Sequence, residues 1–293
     1  MNGSKKTIFT GVATALVTPF SGGEVDYAAL ERLIEQQIAA GVPAIVIGGT
    51  TGEAATLSDS ERYELFRFAG ERIRGRAVLV LGTGTNDTRV AINHTKQAEE
   101  LGCDGALLVT PYYNKGTEEG VYRHYMAVAN ATSLPLILYN VPSRTGVNLG
   151  INLLRRLAEH ERIVAIKEAG DSLDRLVALA ELTDRLTLYS GNDSQIYPTL
   201  ALGGAGVISV VSNIFPRECC DICRLYSEGR YKESLAIQHR LMPLISALFT
   251  ETNPAPVKYA MSRLGLIGEE LRLPLAPVRE STRRMIDEAL EGL

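Results

Sequence analysis

The stretch RIVAIKEAG, Arg162 to Gly170, sets an ammonium at the end of what reads as a buried strand. Its centre, Ile163-Val164-Ala165-Ile166, is a short apolar run of the kind found where a parallel strand is covered on both faces, and Lys167 follows it directly. Stripping water from a charged lysine costs more than its stem gains, so either the amine reaches solvent or it gives up its proton. Seven more runs of this kind occur: GVATALV, PAIVIGG, AVLVLGTG, GALLVTP, LPLILYNVP, LTLYSGN and GVISVVSN, starting near Gly11, Pro43, Ala77, Gly105, Leu134, Leu186 and Gly206. Between the runs lie segments of helical periodicity such as YAALERLIEQQIAAG and SDSERYELFRFAGERI, the latter opened by a capping box of Ser58 and Glu61. Successive strand starts leave room for one crossover helix each, so eight units predict an α/β fold, a closed (β/α)8 TIM barrel rather than an open doubly wound sheet. Active sites of that architecture gather at the C-terminal ends of the strands, where Lys167 stands.

The 293 residues suffice for one such barrel and an appendage. After about Ser227 the pattern turns to helices alone, punctuated by Pro254, Pro256, Pro274 and Pro277, which divides the chain into a catalytic barrel, 1–228, and a C-terminal helical domain, 229–293. A charged share of 22% and a net charge of −4 argue against nucleic-acid and anionic-membrane surfaces and for small-molecule partners. The N-terminal twenty residues contain only a brief apolar run broken by Thr and Pro, with no cleavage pattern, so a cytoplasmic location is the default. Cys103, Cys219, Cys220 and Cys223 fit a reducing compartment, and ECCDIC lacks a second ligand pair at zinc-site spacing, so no metal is expected.

If the barrel holds, the residues beyond each strand form one site. These are GGTTGE (Gly48–Glu53), TPYYNK (Thr110–Lys115), YNVPSRTG (Tyr139–Gly146), KEAG, SGND and SVVSN. Hydroxyls and one guanidinium thus surround the amine. A lysine desolvated toward a pKa of about 7 to 8 attacks carbonyls and gives a Schiff base, whose iminium withdraws electrons as the next carbon sheds a proton. That chemistry needs hydroxyls to move protons and calls for no metal or organic cofactor. Each residue also has a structural reading: Lys167 paired with Glu168, Tyr112 and Tyr113 as loop packing, Arg144 as a surface fork, GGTTGE and GGAG (Gly203–Gly206) as glycine turns. Neither a phosphate loop nor a histidine-based triad is present, and His94, His124, His160 and His239 show no ligand spacing.

With those strand ends assembled, the chain closely resembles the dihydrodipicolinate synthase family of the pyruvate-dependent class I aldolase superfamily. The likeness runs nearly end to end, through TALVTPF, GGTTGEAATLS, VTPYYNK, LYNVPSRTG, IKEAG, LYSGND, GGAGVISV and NPAPVKYA. It implies a lyase that condenses pyruvate with aspartate 4-semialdehyde to make 4-hydroxy-tetrahydrodipicolinate, in lysine and diaminopimelate biosynthesis. By resemblance Lys167 carries the pyruvate, and Tyr139, Thr50 and Tyr113 relay protons. Tyr113 would reach into a neighbouring subunit of a homotetramer, a dimer of dimers. Thr51 matches a pyruvate-carboxylate position, Arg144 the residue holding the semialdehyde carboxylate, and Gly191 and Ile208 positions whose backbone lines the pocket. Neuraminate lyases and 2-keto-3-deoxy sugar acid aldolases share this barrel and lysine chemistry, and they are the alternative; they generally lack arginine in the YNVPSRTG setting.

One departure bears on regulation. Lysine-inhibited members carry histidines after the GTTGE loop and an acid on the helix after the third strand, whereas here Asp59, Arg62 and Val90 occupy those positions. Tyr112 and Asn86 do match the regulatory pattern. An aliphatic side chain cannot pair with an ammonium, so feedback by lysine is expected to be weak or absent.

Overall fold

A computed structural model describes residues 7–293; the polar start of the N-terminal stretch, residues 1–6, lies outside the described residues. Eight parallel strands close into a barrel: β1 (Gly11–Ala15), β2 (Ala44–Ile47), β3 (Val78–Gly82), β4 (Gly105–Val109), β5 (Leu136–Asn140), β6 (Ile163–Glu168), β7 (Thr187–Ser190) and β8 (Gly206–Ser209). Each pairs with its neighbours in sequence, and β8 closes on β1 with Gly11 opposite Gly206. The seam demands glycine, since a Cβ on Gly206 (φ +151) would stand 1.8 Å from the carbonyl oxygen of Gly11. All eight strand expectations hold within two residues at their starts. The small antiparallel hairpin of Phe20–Ser21 with Glu24–Val25 was not foreseen, its strands being too short to show a period.

Helices follow each strand, among them Tyr27–Ala39, Asp59–Ile73 and Thr88–Glu100. The expected capping box forms: Ser58 Oγ accepts from the Glu61 N–H, and the Glu61 carboxylate accepts from the Ser58 N–H. Apolar side chains divide into an inner layer that fills the barrel, with Ala13, Val46, Ile137, Tyr139 and Tyr189, and an outer layer between strands and helices. Small residues such as Ala13, Ala44 and Ala165 make room inside for the aromatic rings and for Lys167.

Three further helices complete the chain, Tyr231–Leu248, Ala255–Arg263 and Glu280–Glu291. The first packs along Pro216–Ser227, which carries the three clustered cysteines. From there the chain returns to the barrel mouth. Lys258 forms an ion pair with Glu53, whose other oxygen accepts from the N–H of Arg272 (3.0 Å), and the Arg272 guanidinium bonds Glu61 and the carbonyl oxygen of Thr56.

Candidate active site

Residues at the ends of β5 and β6 define the site, because register places Tyr139 beside Lys167 and Asn140 beside Glu168. Successive residues of a strand point to opposite faces, so each strand offers one chemical group inward and one outward. A register shift between Leu136 and Ile137 sets this phase, bringing both Val164 and Ala165 into the inner layer. Lys167 lies within β6 rather than just after it, and it is 5% exposed. The amine therefore does not reach bulk water.

The Lys167 amine stands 4.3 Å from the centre of the Tyr139 ring and, among the described residues, has no carboxylate within ion-pair distance. Burial pulls its pKa down from 10.5 to about 7; Asp193 opposes that fall and Arg144 adds to it. The Glu168 pairing considered from the sequence does not occur. Glu168 turns outward, where its carboxylate accepts from Asn140 Nδ2 (2.9 and 3.0 Å), from the Gly170 N–H (2.8 Å) and from Arg175 Nε (2.8 Å). Tyr139 is buried; burial first, and Glu168 in small part, raise its pKa, while Arg144 and the nearby Thr50 hydroxyl lower it.

A cavity of about 470 Å³ opens at the strand ends, lined by Thr50, Tyr139, Arg144 and Asn253 and extending to Arg62, His94 and Tyr112. Lys167, Thr51, Gly191, Ile208 and Tyr113 are not among its lining residues. The Lys167 amine stands against the ring of Tyr139, which does line the cavity. Thr51 is buried and accepts from Asn253 Nδ2 at 3.0 Å, while Arg144 donates to the carbonyl oxygen of Asn253 at 3.0 Å and has no carboxylate partner among the described residues. Gly191 follows β7 so closely that a Cβ there would lie 2.6 Å from that of Ala169, and its N–H donates to the carbonyl of Glu168. Ile208 is fully buried in the inner layer.

Tyr113 is the one predicted site residue that the chain does not bring to this group. It is 88% exposed on the loop after β4, in a left-handed conformation (φ +70) that a tyrosine adopts at a cost.

Sequence reasoning did not select Asp193, His94 or Asn253. Asp193 is buried, with one oxygen accepting from the N–H groups of Val210 (3.0 Å) and Val211 (2.9 Å), which anchors the end of β8. His94 reaches Asp59 at 3.1 Å and borders the cavity, and burial lowers its pKa. The adjacent SGND and NPAPVKYA motifs were the available signals, but neither says which residue faces the barrel. The cysteines are buried or half-buried, and among the described residues no cluster of three or more His, Cys, Asp or Glu is arranged to hold a metal.

A (β/α)8 barrel with a buried lysine of lowered pKa, free of any ion pair among the described residues, beside a buried tyrosine at its C-terminal mouth is the architecture of a lyase of the class I aldolase type. Within that class, the chain belongs to the dihydrodipicolinate synthetase family, whose model matches residues 8–293. It is 45% identical over 287 residues to the 4-hydroxy-tetrahydrodipicolinate synthase of Clostridium novyi (strain NT), covering 98% of this chain and 97% of that protein. The solved structure of the 4-hydroxy-tetrahydrodipicolinate synthase from Methylacidiphilum fumariolicum SolV superposes with a TM-score of 0.95 at 45% identity, covering 97% of this chain and 95% of the other. A monomeric dihydrodipicolinate synthase variant also superposes at 0.95, with 42% identity and 97% of each chain covered. No helix among the described residues is long and apolar enough to cross a membrane.

Proposed function

We propose that this chain condenses pyruvate with aspartate 4-semialdehyde to form 4-hydroxy-tetrahydrodipicolinate, through a Schiff base on Lys167. The observation that carries this reading is the Lys167 amine, enclosed, without an anionic partner, and with its pKa brought to about 7. At neutral pH about half of such amines are free to attack, against roughly one in 2500 for an ordinary lysine.

The nitrogen adds to the keto carbon of pyruvate and water leaves, giving an iminium. Loss of a methyl proton makes an enamine, with the iminium nitrogen receiving the electron pair. The enamine carbon bonds to the aldehyde carbon of the semialdehyde, whose oxygen takes a proton from the hydroxyl relay. The semialdehyde's own amine then attacks the iminium carbon, closing the ring and expelling Lys167. Tyr139, on the cavity wall with Thr50, is suited to pass these protons, because burial keeps its phenol protonated. The iminium is itself the electron sink, so this sequence calls for no cofactor.

Thr51 and Arg144 serve as the two carboxylate anchors, a hydroxyl for the keto acid and a planar guanidinium fork for the semialdehyde. Gly191 and Ile208 shape the floor. Tyr113, splayed away from its own site, is available to complete the relay of a second copy, which supports a homo-oligomer, in its fullest form a tetramer of paired dimers. A cytoplasmic site of action follows from substrates of central metabolism.

Borohydride reduction with pyruvate, followed by mass spectrometry, should leave a stable adduct on Lys167, and its absence would remove the mechanism. Arg144→Ala should lower turnover with aspartate semialdehyde far more than adduct formation with pyruvate. Faster turnover with sugar-derived aldehydes than with aspartate semialdehyde would instead assign the chain to the sugar-acid aldolases.

A further inference from the structure

Asn253 belongs to the loop between the helices Tyr231–Leu248 and Ala255–Arg263, yet it lies at the barrel mouth, 6% exposed and on the cavity wall. Three of its polar groups can be accounted for one at a time. The backbone oxygen accepts from Arg144 Nη2, and the side-chain Nδ2 donates to Thr51 Oγ1, both at 3.0 Å. The side-chain oxygen Oδ1 is buried and has no hydrogen-bond partner among the described residues. Leaving an amide oxygen in that state is costly, so a fold that retains it retains an acceptor in need of a donor.

The two residues it touches are those assigned to the two carboxylates. A carboxylate seated on Arg144 that belongs to an α-amino acid carries an ammonium on the adjoining carbon, a few bond lengths away. That group has hydrogens to donate and nothing to accept, the complement of Oδ1. The choice of an amide is also chemically apt. A carboxylate partner would hold the proton on the nitrogen, whereas a neutral oxygen orients it and still lets it deprotonate. The same nitrogen must later attack the iminium carbon, so it has to lose its proton within the site.

We propose that Asn253 Oδ1 accepts a hydrogen bond from the α-ammonium of the second substrate, making Asn253 the residue that selects an amino-acid aldehyde over aldehydes lacking that group. The assignment rests on the function proposed above and adds to it a specificity element supplied by the C-terminal helical region.

Succinate semialdehyde, which keeps the carboxylate and aldehyde of aspartate semialdehyde and lacks only the amine, isolates this contact. In Asn253→Leu, the KM for aspartate semialdehyde should rise by about tenfold or more, while the inhibition constant of succinate semialdehyde changes less than about twofold. Asn253→Ser, smaller and still polar, repeats the comparison if the leucine variant does not fold. Equal weakening of both ligands would overturn the proposal and leave Asn253 as a brace for Thr51 and Arg144; so would an unchanged KM for aspartate semialdehyde. Pyruvate adduct formation on Lys167, measured in parallel, keeps the two levels apart: a wild-type enzyme that forms no adduct refutes the underlying function, whereas one that does, with no discrimination lost in the variants, refutes only the role of Asn253.

Discussion

Among the described residues two lysines are buried, and they have opposite surroundings. Lys258, in the C-terminal helical region, is fully enclosed, paired with Glu53, and bonded to the carbonyl oxygen of Glu270 at 2.9 Å. Lys167, at the end of β6, is 5% exposed and has an aromatic ring, not a carboxylate, beside its amine. Burial lowers the pKa of both, but at Lys258 the Glu53 charge and hydrogen bond push back. Asp193 opposes the fall at Lys167 only from beyond ion-pair distance, so burial leaves a lysine reactive where no carboxylate touches its amine. The carboxylate next in sequence, Glu168, is kept from Lys167 by the two-residue period of the strand and by its own full set of donors outside the barrel.

The strongest test of this contrast is Lys167→Met. It should abolish the pyruvate adduct and lower turnover by more than about 10³-fold, as expected when a covalent nucleophile is removed. It should also leave the fold as stable as before or more so. Between about pH 7 and the ordinary 10.5, the unfolded chain binds a proton that the folded chain has released, so Lys167 makes stability rise with pH and is most costly below pH 7. The gain in Tm on replacing it should be largest at acidic pH.

Lys258→Met should behave in the reverse way, destabilising by about 3–5 kcal/mol because it strands the Glu53 carboxylate. Denaturant unfolding measures this, and the double variant with Glu53→Gln should recover much of the loss. A Lys258→Met protein as stable as wild type would mean that the pair contributes nothing. At a permissive temperature this variant should still form the adduct on Lys167.

Rate against pH sharpens the comparison further. Adduct formation with pyruvate requires the neutral amine, so it should climb about tenfold per unit below pH 7 and level off above it. A rate still climbing through pH 9 would show that Lys167 keeps an ordinary pKa. The smallest effect concerns L-lysine as an effector: with Val90 on the first turn of Thr88–Glu100, millimolar lysine should hardly change the initial rate. Half-maximal inhibition at sub-millimolar lysine would refute that expectation.

How far the sequence reached differs from element to element. The strands were legible because a barrel strand is apolar on both faces, and runs such as AVLVLG and LPLILYN carry that requirement in a handful of adjacent residues. The capping box at Ser58 was legible for the same reason, being local. PSRT, which reads as loop, forms the short helix Pro142–Thr145 that presents Arg144. The contacts of Asn253 were not legible, since its partner Thr51 lies 202 residues away and no period links them. Asp193, His94 and Glu53 escaped for the same cause: a buried polar residue is recognised by what surrounds it, not by its neighbours in the chain.

By itself the sequence determined the barrel, the place of Lys167 at a strand end, and, through its ordered motifs, the family, because each of these is written in short-range pattern or in residue identity. Tertiary structure alone decided which face each residue takes, that Lys167 lacks a counterion while Lys258 has one, and that Asn253 bridges the two proposed carboxylate anchors. Those properties depend on desolvation and on distances between segments far apart in the chain, which exist only once the barrel has closed.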